Sequence, residues 1–284
     1  MFRVLSDIIK WIGEHFKGML FLLIVVVLLM PSSDTENPAN LQEIKLSGVI
    51  MNSDVIIQQI EEAQNNKNIK GVLFNVNSGG GSVPPSIEIS YAIKELKKHK
   101  PVVAYASGTM ASGSYYASIY STKIIANAGS IIGSIGVIME SANIQKLLDT
   151  IGIKPQIVKQ GLYKEAGTPT REWTPEEREE LEQLTLDTYN LFVSDVATAR
   201  GLDINDSNRF ANAHIFSAKK ALEVGLIDAI GVKRDAKLEL KKLSKIDKEI
   251  WKKKDKIDSI IEKFEGKVVT SLKSSFYGLK SELF

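Results

Sequence analysis

The 284-residue chain is 44% hydrophobic and 25% charged, and its 36 basic residues stand against 34 acidic ones for a formal charge of +2. This is ordinary globular composition, long enough for one large domain or two small ones. The near balance of charge, with no RNP-like, zinc-finger or basic-zipper pattern, argues against a nucleic-acid partner. The lack of cysteine excludes disulfides, a thiolate nucleophile, Cys-ligated zinc and a lipid-modified N-terminal cysteine.

In chain order, Arg3, Lys10 and Lys17 precede an uncharged apolar run over 18–30, and Asp34 and Glu36 follow it. Residues 1–31 therefore read as a cytoplasmic N-terminus and membrane anchor, with the later chain outside the cytoplasm. The run is shorter than the ~20 residues of a usual spanning helix, so a cleaved signal peptide is the rival reading. Against cleavage, no small-x-small site follows Met30, and Ile8, Ile9, Trp11, Ile12 and Phe16 extend the apolar character upstream. Residues 32–42 read as a linker.

The next segments alternate. A strand is expected over 43–50, a helix over 53–63, a strand over 69–76, a glycine-rich loop over 77–82, a helix over 84–98, a strand over 101–106 and a helix over 110–119. Further strands are expected over 123–126, 135–139 and 154–158. The pitch argues for an α/β fold of stacked βαβ units with a mainly parallel sheet. A long helix is expected over 174–199, with Thr174 as cap, Pro175 in its first turn and acidic Glu176, Glu177, Glu179 and Glu180 near its start. Beyond Gly231 the chain is lysine-rich, with Leu238, Leu243, Ile246, Ile250, Ile257, Ile260, Ile261 and Phe264 at helical intervals. This gives a domain over 43–231 and a basic amphipathic helical extension with a flexible tail over 232–284, packed on the domain or a neighbouring subunit, or lying on an anionic membrane surface.

The chemistry-bearing segment is Gly108-Thr109-Met110-Ala111-Ser112-Gly113-Ser114-Tyr115-Tyr116. A serine nucleophile needs a turn that exposes its hydroxyl, a base for its proton and N–H groups aimed at the developing oxyanion. Ser112 follows an expected strand and stands near a helix start, where N–H groups lack partners. The loop Asn77-Ser78-Gly79-Gly80-Gly81 could bring backbone close to a substrate carbonyl, so the N–H groups of Gly80, Gly81 and Gly113 make a plausible oxyanion hole. No Gly-Lys-Ser/Thr follows, so it is not a phosphate loop, and no metal-ligand or nucleotide motif appears; no cofactor is expected.

These residues resemble the signal peptide peptidase A family, in its short single-domain form, within the ClpP/crotonase superfamily. The likeness runs from about Ile44 to Gly231. The glycine loop, Ala111-Ser112-Gly113-Ser114-Tyr115-Tyr116, Gly133-Ser134-Ile135-Gly136-Val137 and Tyr163-Lys164 match its motifs in order. The resemblance implies a serine endopeptidase in which Lys164, delivered neutral, is the general base for Ser112, and Ser134 hydrogen-bonds its amine. It further implies a homo-oligomer that encloses its active sites and degrades remnant signal peptides, anchored by one helix in the lipid of the bacterial cytoplasmic (inner) membrane. A lysine base needs burial, for which Ile151, Ile153 and Ile157 could supply apolar walls. Three departures stand out: Gly79 for proline, Ser114 for glycine, and Asn212-Ala213-His214 for Asp-Gly-Arg, the last expected to affect a peripheral contact. A serine–histidine–aspartate triad through His214, a crotonase-like acyl-thioester enzyme and a catalytically silent membrane scaffold are the rival readings.

Overall fold

The computed structural model describes residues 38–253, together with 11, 13 and 15–23. The chain divides into Met1–Pro38 and Ala39–Phe284, and the whole sheet belongs to the second unit. Its elements in chain order are β1 (Leu41–Ile50), α1 (Asp54–Asn65), β2 (Gly71–Gly81), α2 (Val83–Lys97), β3 (Val102–Ala111), α3 (Gly113–Ser118), β4 (Lys123–Ala126), β5 (Ile131–Gly133), α4 (Gln145–Thr150), α5 (Pro175–Arg200), β6 (Ile215–Ser217), α6 (Ala218–Glu223), β7 (Ala229–Ile230) and α7 (Lys233–Leu243), with a 3-10 turn at Ile204–Arg209.

Strands β1, β2, β3, β4 and β7 lie side by side in that order, all parallel. Strand β3 is long enough to hold two neighbours on one edge, β4 along Val103–Ala106 and β5 along Thr109–Ala111. Strand β6 then pairs antiparallel with β5. The fold is thus α/β with a mostly parallel mixed sheet, as the alternating pattern predicts.

Period-two alternation assigns the faces. Ile44, Leu46, Val72, Phe74, Val76, Val102, Ala104 and Ala106 point one way and form the main core with Ile60 of α1, Ile89, Ile93 and Leu96 of α2, and Tyr115 of α3. Leu41, Leu73, Val103, Tyr105 and Ile125 point the other way, onto Ala236 and Leu240 of α7. Each fully buried large side chain contributes roughly 1.5–3 kcal/mol of transfer free energy, so the lysine-rich helix is held by its narrow apolar stripe. The last described residues return to the first strand. Asn40 and Leu41 donate their N–H groups to the Ile250 carbonyl (2.8 and 3.1 Å), and Lys252 donates to that of Leu41 (2.7 Å).

Several expectations are corrected. The glycine segment is not a free loop: β2 continues through it and stays paired with β1, Val49 opposite Gly80 and Ile50 opposite Gly81, after a register shift past Ser47. Strand β3 runs to Ala111, so the helix after it starts at Gly113 rather than 110. The segments 135–139 and 154–158 form no strands. Ile138, Met139, Ile157 and Val158 are exposed, whereas Ile135 is buried in the main core and its carbonyl accepts the Ala213 N–H rather than a strand partner. Among the described residues no helix is long and apolar enough to cross a membrane. Residues 1–10, 12, 14 and 24–31 of the expected N-terminus and anchor, 32–37 of the expected linker, and the expected extension and tail beyond 253 lie outside the described residues.

Candidate active site

Ser112 sits between the end of β3 and the start of α3 with φ 51° and ψ −129°. A residue with a β-carbon is strained at such a φ, by about 1–2 kcal/mol, and surrounding bonds hold it there. The Ser112 N–H donates to the Gly133 carbonyl (2.8 Å), and its carbonyl accepts the Tyr116 N–H (3.0 Å). The hydroxyl makes no capping bond to α3, and the side chain is half-buried. A serine at a helix start usually serves as a cap; this one does not.

Two tyrosines fix the helix behind it. Tyr115, fully buried, donates its hydroxyl to the Leu226 carbonyl (2.7 Å), and Tyr116 donates to Asp195 Oδ2 of α5 (2.6 Å) while stacking on Phe192. Burial pushes both phenols above their ordinary range, and the Asp195 carboxylate adds to this at Tyr116, so both remain donors.

Ser114 does more than the motif implied. It is fully buried, donates to the Ser78 carbonyl (2.6 Å) and accepts the Ala111 N–H (2.9 Å). The hydroxyl therefore ties the glycine strand to the residue before the nucleophile. Ser114→Ala should lower stability by about 1–3 kcal/mol through the stranded Ala111 N–H, read as a fall in the urea midpoint at unchanged slope. Ser114→Gly should do the same, so the family's glycine would be the worse residue in this chain.

Of the three expected oxyanion donors, Gly80 has its N–H engaged within its own strand. After the register shift its backbone (φ 99°) turns back, and its N–H donates to Ser78 Oγ (3.1 Å). Gly81 and Gly113 lie side by side. The Gly81 nitrogen lies 3.3 Å from where a β-carbon on Gly113 would stand, and Gly113 is the first residue of α3, where an N–H has no acceptor within its own helix.

Ser134 is brought close through the sheet register. Ala111 of β3 is paired with Gly133 of β5, so Ser112 and Ser134 occupy matching positions one residue past the paired strand ends. Ser134 also has positive φ (49°), and its N–H donates to the His214 carbonyl (2.7 Å). The triplet Asn212-Ala213-His214 is therefore not peripheral. Asn212 and Ala213 both adopt φ 55°, and the turn they form presents the His214 carbonyl to Ser134 while Ala213 donates its N–H to Ile135 (2.8 Å). The sequence signal was a glycine expected where Ala213 stands, a mark of a left-handed backbone position.

Lys164 stands apart from this cluster. It lies on an exposed turn and, among the described residues, its side chain makes no hydrogen bond or ion pair. Ile151, Ile153 and Ile157, expected to wall it, are each more than half exposed, because the segment 151–158 leaves the sheet and meets no second layer within the chain. His214 fares no better as a base. Its exposed ring is tilted against Phe216, with centroids 5.9 Å apart, and among the described residues no carboxylate orients it. His99 is committed to the α2 end beside Glu95 (3.7 Å), and His15 bonds the Trp11 carbonyl.

A Methanocaldococcus jannaschii protein provisionally named a protease is 39% identical over 190 residues, covering 67% of this chain and 61% of its own length. An Enterococcus faecium protein provisionally named signal peptide peptidase SppA is 31% identical, covering 84% of this chain and 81% of its own. This chain spans about three fifths of the length of the first curated relatives it matches. Among solved structures, a ClpP1 variant of Listeria monocytogenes superposes with a TM-score of 0.47 at 16% identity, covering 68% of this chain and 93% of that one. Residues 94–247, more than half of the sequence and including Ser112, Ser134 and Lys164, match peptidase family S49, and the chain belongs to that family.

Proposed function

We propose that this chain is a membrane-anchored serine endopeptidase that degrades remnant signal peptides through a Ser112–Lys164 dyad. The observation that carries the reading is Ser112, a half-buried serine held at φ 51° at a strand-to-helix turn with its hydroxyl unused as a cap. In this reading Oγ attacks the peptide carbonyl while neutral Lys164 accepts the hydroxyl proton. The N–H groups of Gly81 and Gly113 stabilise the oxyanion. Collapse expels the amine with that proton and leaves an ester on Ser112. Water then attacks the ester with the same base, releasing the carboxylate and restoring the hydroxyl. Ser134, level with Ser112 through the β3–β5 register, would orient the lysine amine.

A lysine base must be desolvated to be neutral near physiological pH, and a single chain leaves Lys164 exposed. Assembly of identical copies over Ile138, Ile151, Ile153, Ile157 and Val158, all exposed, would bury that surface and shelter the base. Such an assembly would admit extended peptides and exclude folded proteins. The charge asymmetry around residues 18–30 supports an anchor in the bacterial cytoplasmic membrane with the peptidase unit outside.

The test is hydrolysis of a fluorogenic signal-sequence peptide by the full-length protein in detergent, across about pH 6–10. Lys164→Ala should lose at least ~10³-fold in kcat/KM, His214→Ala should stay near wild type, and wild-type activity should rise on one basic limb. An active Lys164→Ala beside an inactive His214→Ala would replace the dyad by a triad.

A further inference from the structure

Lys164 is carried by a turn that the apolar core does not reach. Gly161 and Gly167 flank it, both at positive φ. What fastens the turn is a cluster of four charges, spaced every six residues, whose second member, Glu165, is next to Lys164. Glu165 receives Lys159 Nζ at 2.7 Å and Arg171 Nη2 at 3.1 Å. Arg171 also makes a two-pronged bond to Glu177, Nη1 to Oε2 at 2.8 Å and Nη2 to Oε1 at 2.7 Å. Lys159 Nζ lies 3.9 Å from Glu177 Oε1 as well.

Glu177 is the fixed point. Its side chain is 2% exposed, and its Oε2 accepts the Thr174 N–H (3.0 Å) while Thr174 Oγ1 accepts the Glu177 N–H (3.2 Å), closing the capping box of α5. Helix α5 is seated in the core through Phe192, Val193 and Val196. The same junction is braced by Trp173, whose indole donates to the Thr168 carbonyl (2.8 Å) under the guanidinium of Arg178. Two cations and two carboxylates balance, so the cluster adds no net charge beside the amine.

We propose that Lys159, Glu165, Arg171 and Glu177 are positioning residues that clamp the Lys164 turn to the start of α5 and thereby set where the amine is presented for proton transfer. The inference rests on Lys164 being the general base. A proton acceptor displaced by about 1 Å loses on the order of 10²-fold in rate, and the charged cluster ties the residue next to Lys164 directly to the buried Glu177 through Arg171. The planar fork of Arg171 grips Glu177 with two parallel N–H bonds while also reaching Glu165, a geometry that the point charge of an ammonium does not copy. Bonding to Arg171 and to the Thr174 N–H holds the Glu177 carboxyl at about 2, below its ordinary 4.5. A depressed carboxyl contributes stability that is complete above its unfolded value and fades as pH falls through the folded one. The Glu177 carboxylate is therefore ionised throughout the pH range of the assay.

The experiment measures kcat and KM for the same fluorogenic peptide with full-length wild type, Arg171→Lys, Lys164→Ala and the double variant, alongside thermal melting. Arg171→Lys should lower kcat roughly ten- to hundredfold with KM within about twofold. In the Lys164→Ala background it should cause no further loss, because it acts through the lysine. If Arg171→Lys melts well below wild type, Glu165→Gln, with Glu165 on the turn itself, carries the same comparison. Wild-type kcat in both variants, or an equal loss with and without Lys164, overturns the clamp while leaving the base assignment standing. Full activity in Lys164→Ala overturns both.

Discussion

Ser112→Ala is expected to fold as the wild type does, bind peptide and lose hydrolysis by roughly four to six orders of magnitude. The alanine keeps a β-carbon at φ 51°, so the strain at the turn stays and the melting temperature should hardly move. Ser112→Gly separates chemistry from strain. It should be equally inactive but more stable, because relief of about 1–2 kcal/mol at a left-handed position exceeds the ~0.5–1 kcal/mol that glycine costs through the freer unfolded chain. The pair is read by peptide hydrolysis and thermal melting. Residual activity in either variant would point to another nucleophile. A glycine variant less stable than the alanine one would mean that the turn stores no strain.

The other large effect is expected at Gly80. A β-carbon there would stand 2.6 Å from the Gly113 nitrogen, 2.8 Å from Ser112 Cβ and 3.0 Å from the Ala111 carbonyl oxygen, on a backbone at φ 99°. Either β2 or the nucleophile turn must retreat. Gly80→Ala should cost about 2–4 kcal/mol, from overpacking together with the positive φ, and should lower kcat on the order of 10²–10³-fold because the oxyanion donors leave their places. Gly79→Ala is the control one residue away. Nothing lies within 4 Å of its β-carbon position and its φ is not positive, so stability should rise by a few tenths of a kcal/mol to ~1 with activity near wild type. Equal damage at both positions, measured by urea denaturation and peptide hydrolysis, would remove the special role of Gly80.

Much of the fold was legible because its strands are buried on both faces and read as short apolar runs. The runs around Phe74 and Ala104 announce themselves, and Thr174 with Pro175 and Glu177 marks the start of the long helix. The ends of the strands were not legible. Glycine is a weak strand former, so the continuation of β2 through Gly79, Gly80 and Gly81 depends on pairing with β1 that the local sequence does not encode. The segments 135–139 and 154–158 look like strands for the opposite reason: their composition suits burial, yet beyond Ile135, which enters the core, Ile138, Met139, Ile157 and Val158 stay exposed. In the site, Ser112 could be picked out from its neighbours. The buried bonds of Ser114, and the backbone support that Asn212 and Ala213 give Ser134, depend on pairings over long sequence separations. Gly80 looked interchangeable with Gly81 in the sequence, and only the register shift sets its N–H against Ser78 instead.

The closure of β1 by Ile250 and Lys252 has a consequence for how the protein is made. The first strand of the sheet emerges early in synthesis, yet the groups that satisfy Asn40 and Leu41 belong to residues some two hundred positions later. Until those residues leave the ribosome, the start of β1 is an open edge able to pair with another nascent chain. The similarity to peptidase family S49 ends at residue 247, so a boundary drawn there would discard the segment that covers the start of β1. Residues 250–252 therefore set the point in synthesis at which the start of β1 can first be covered.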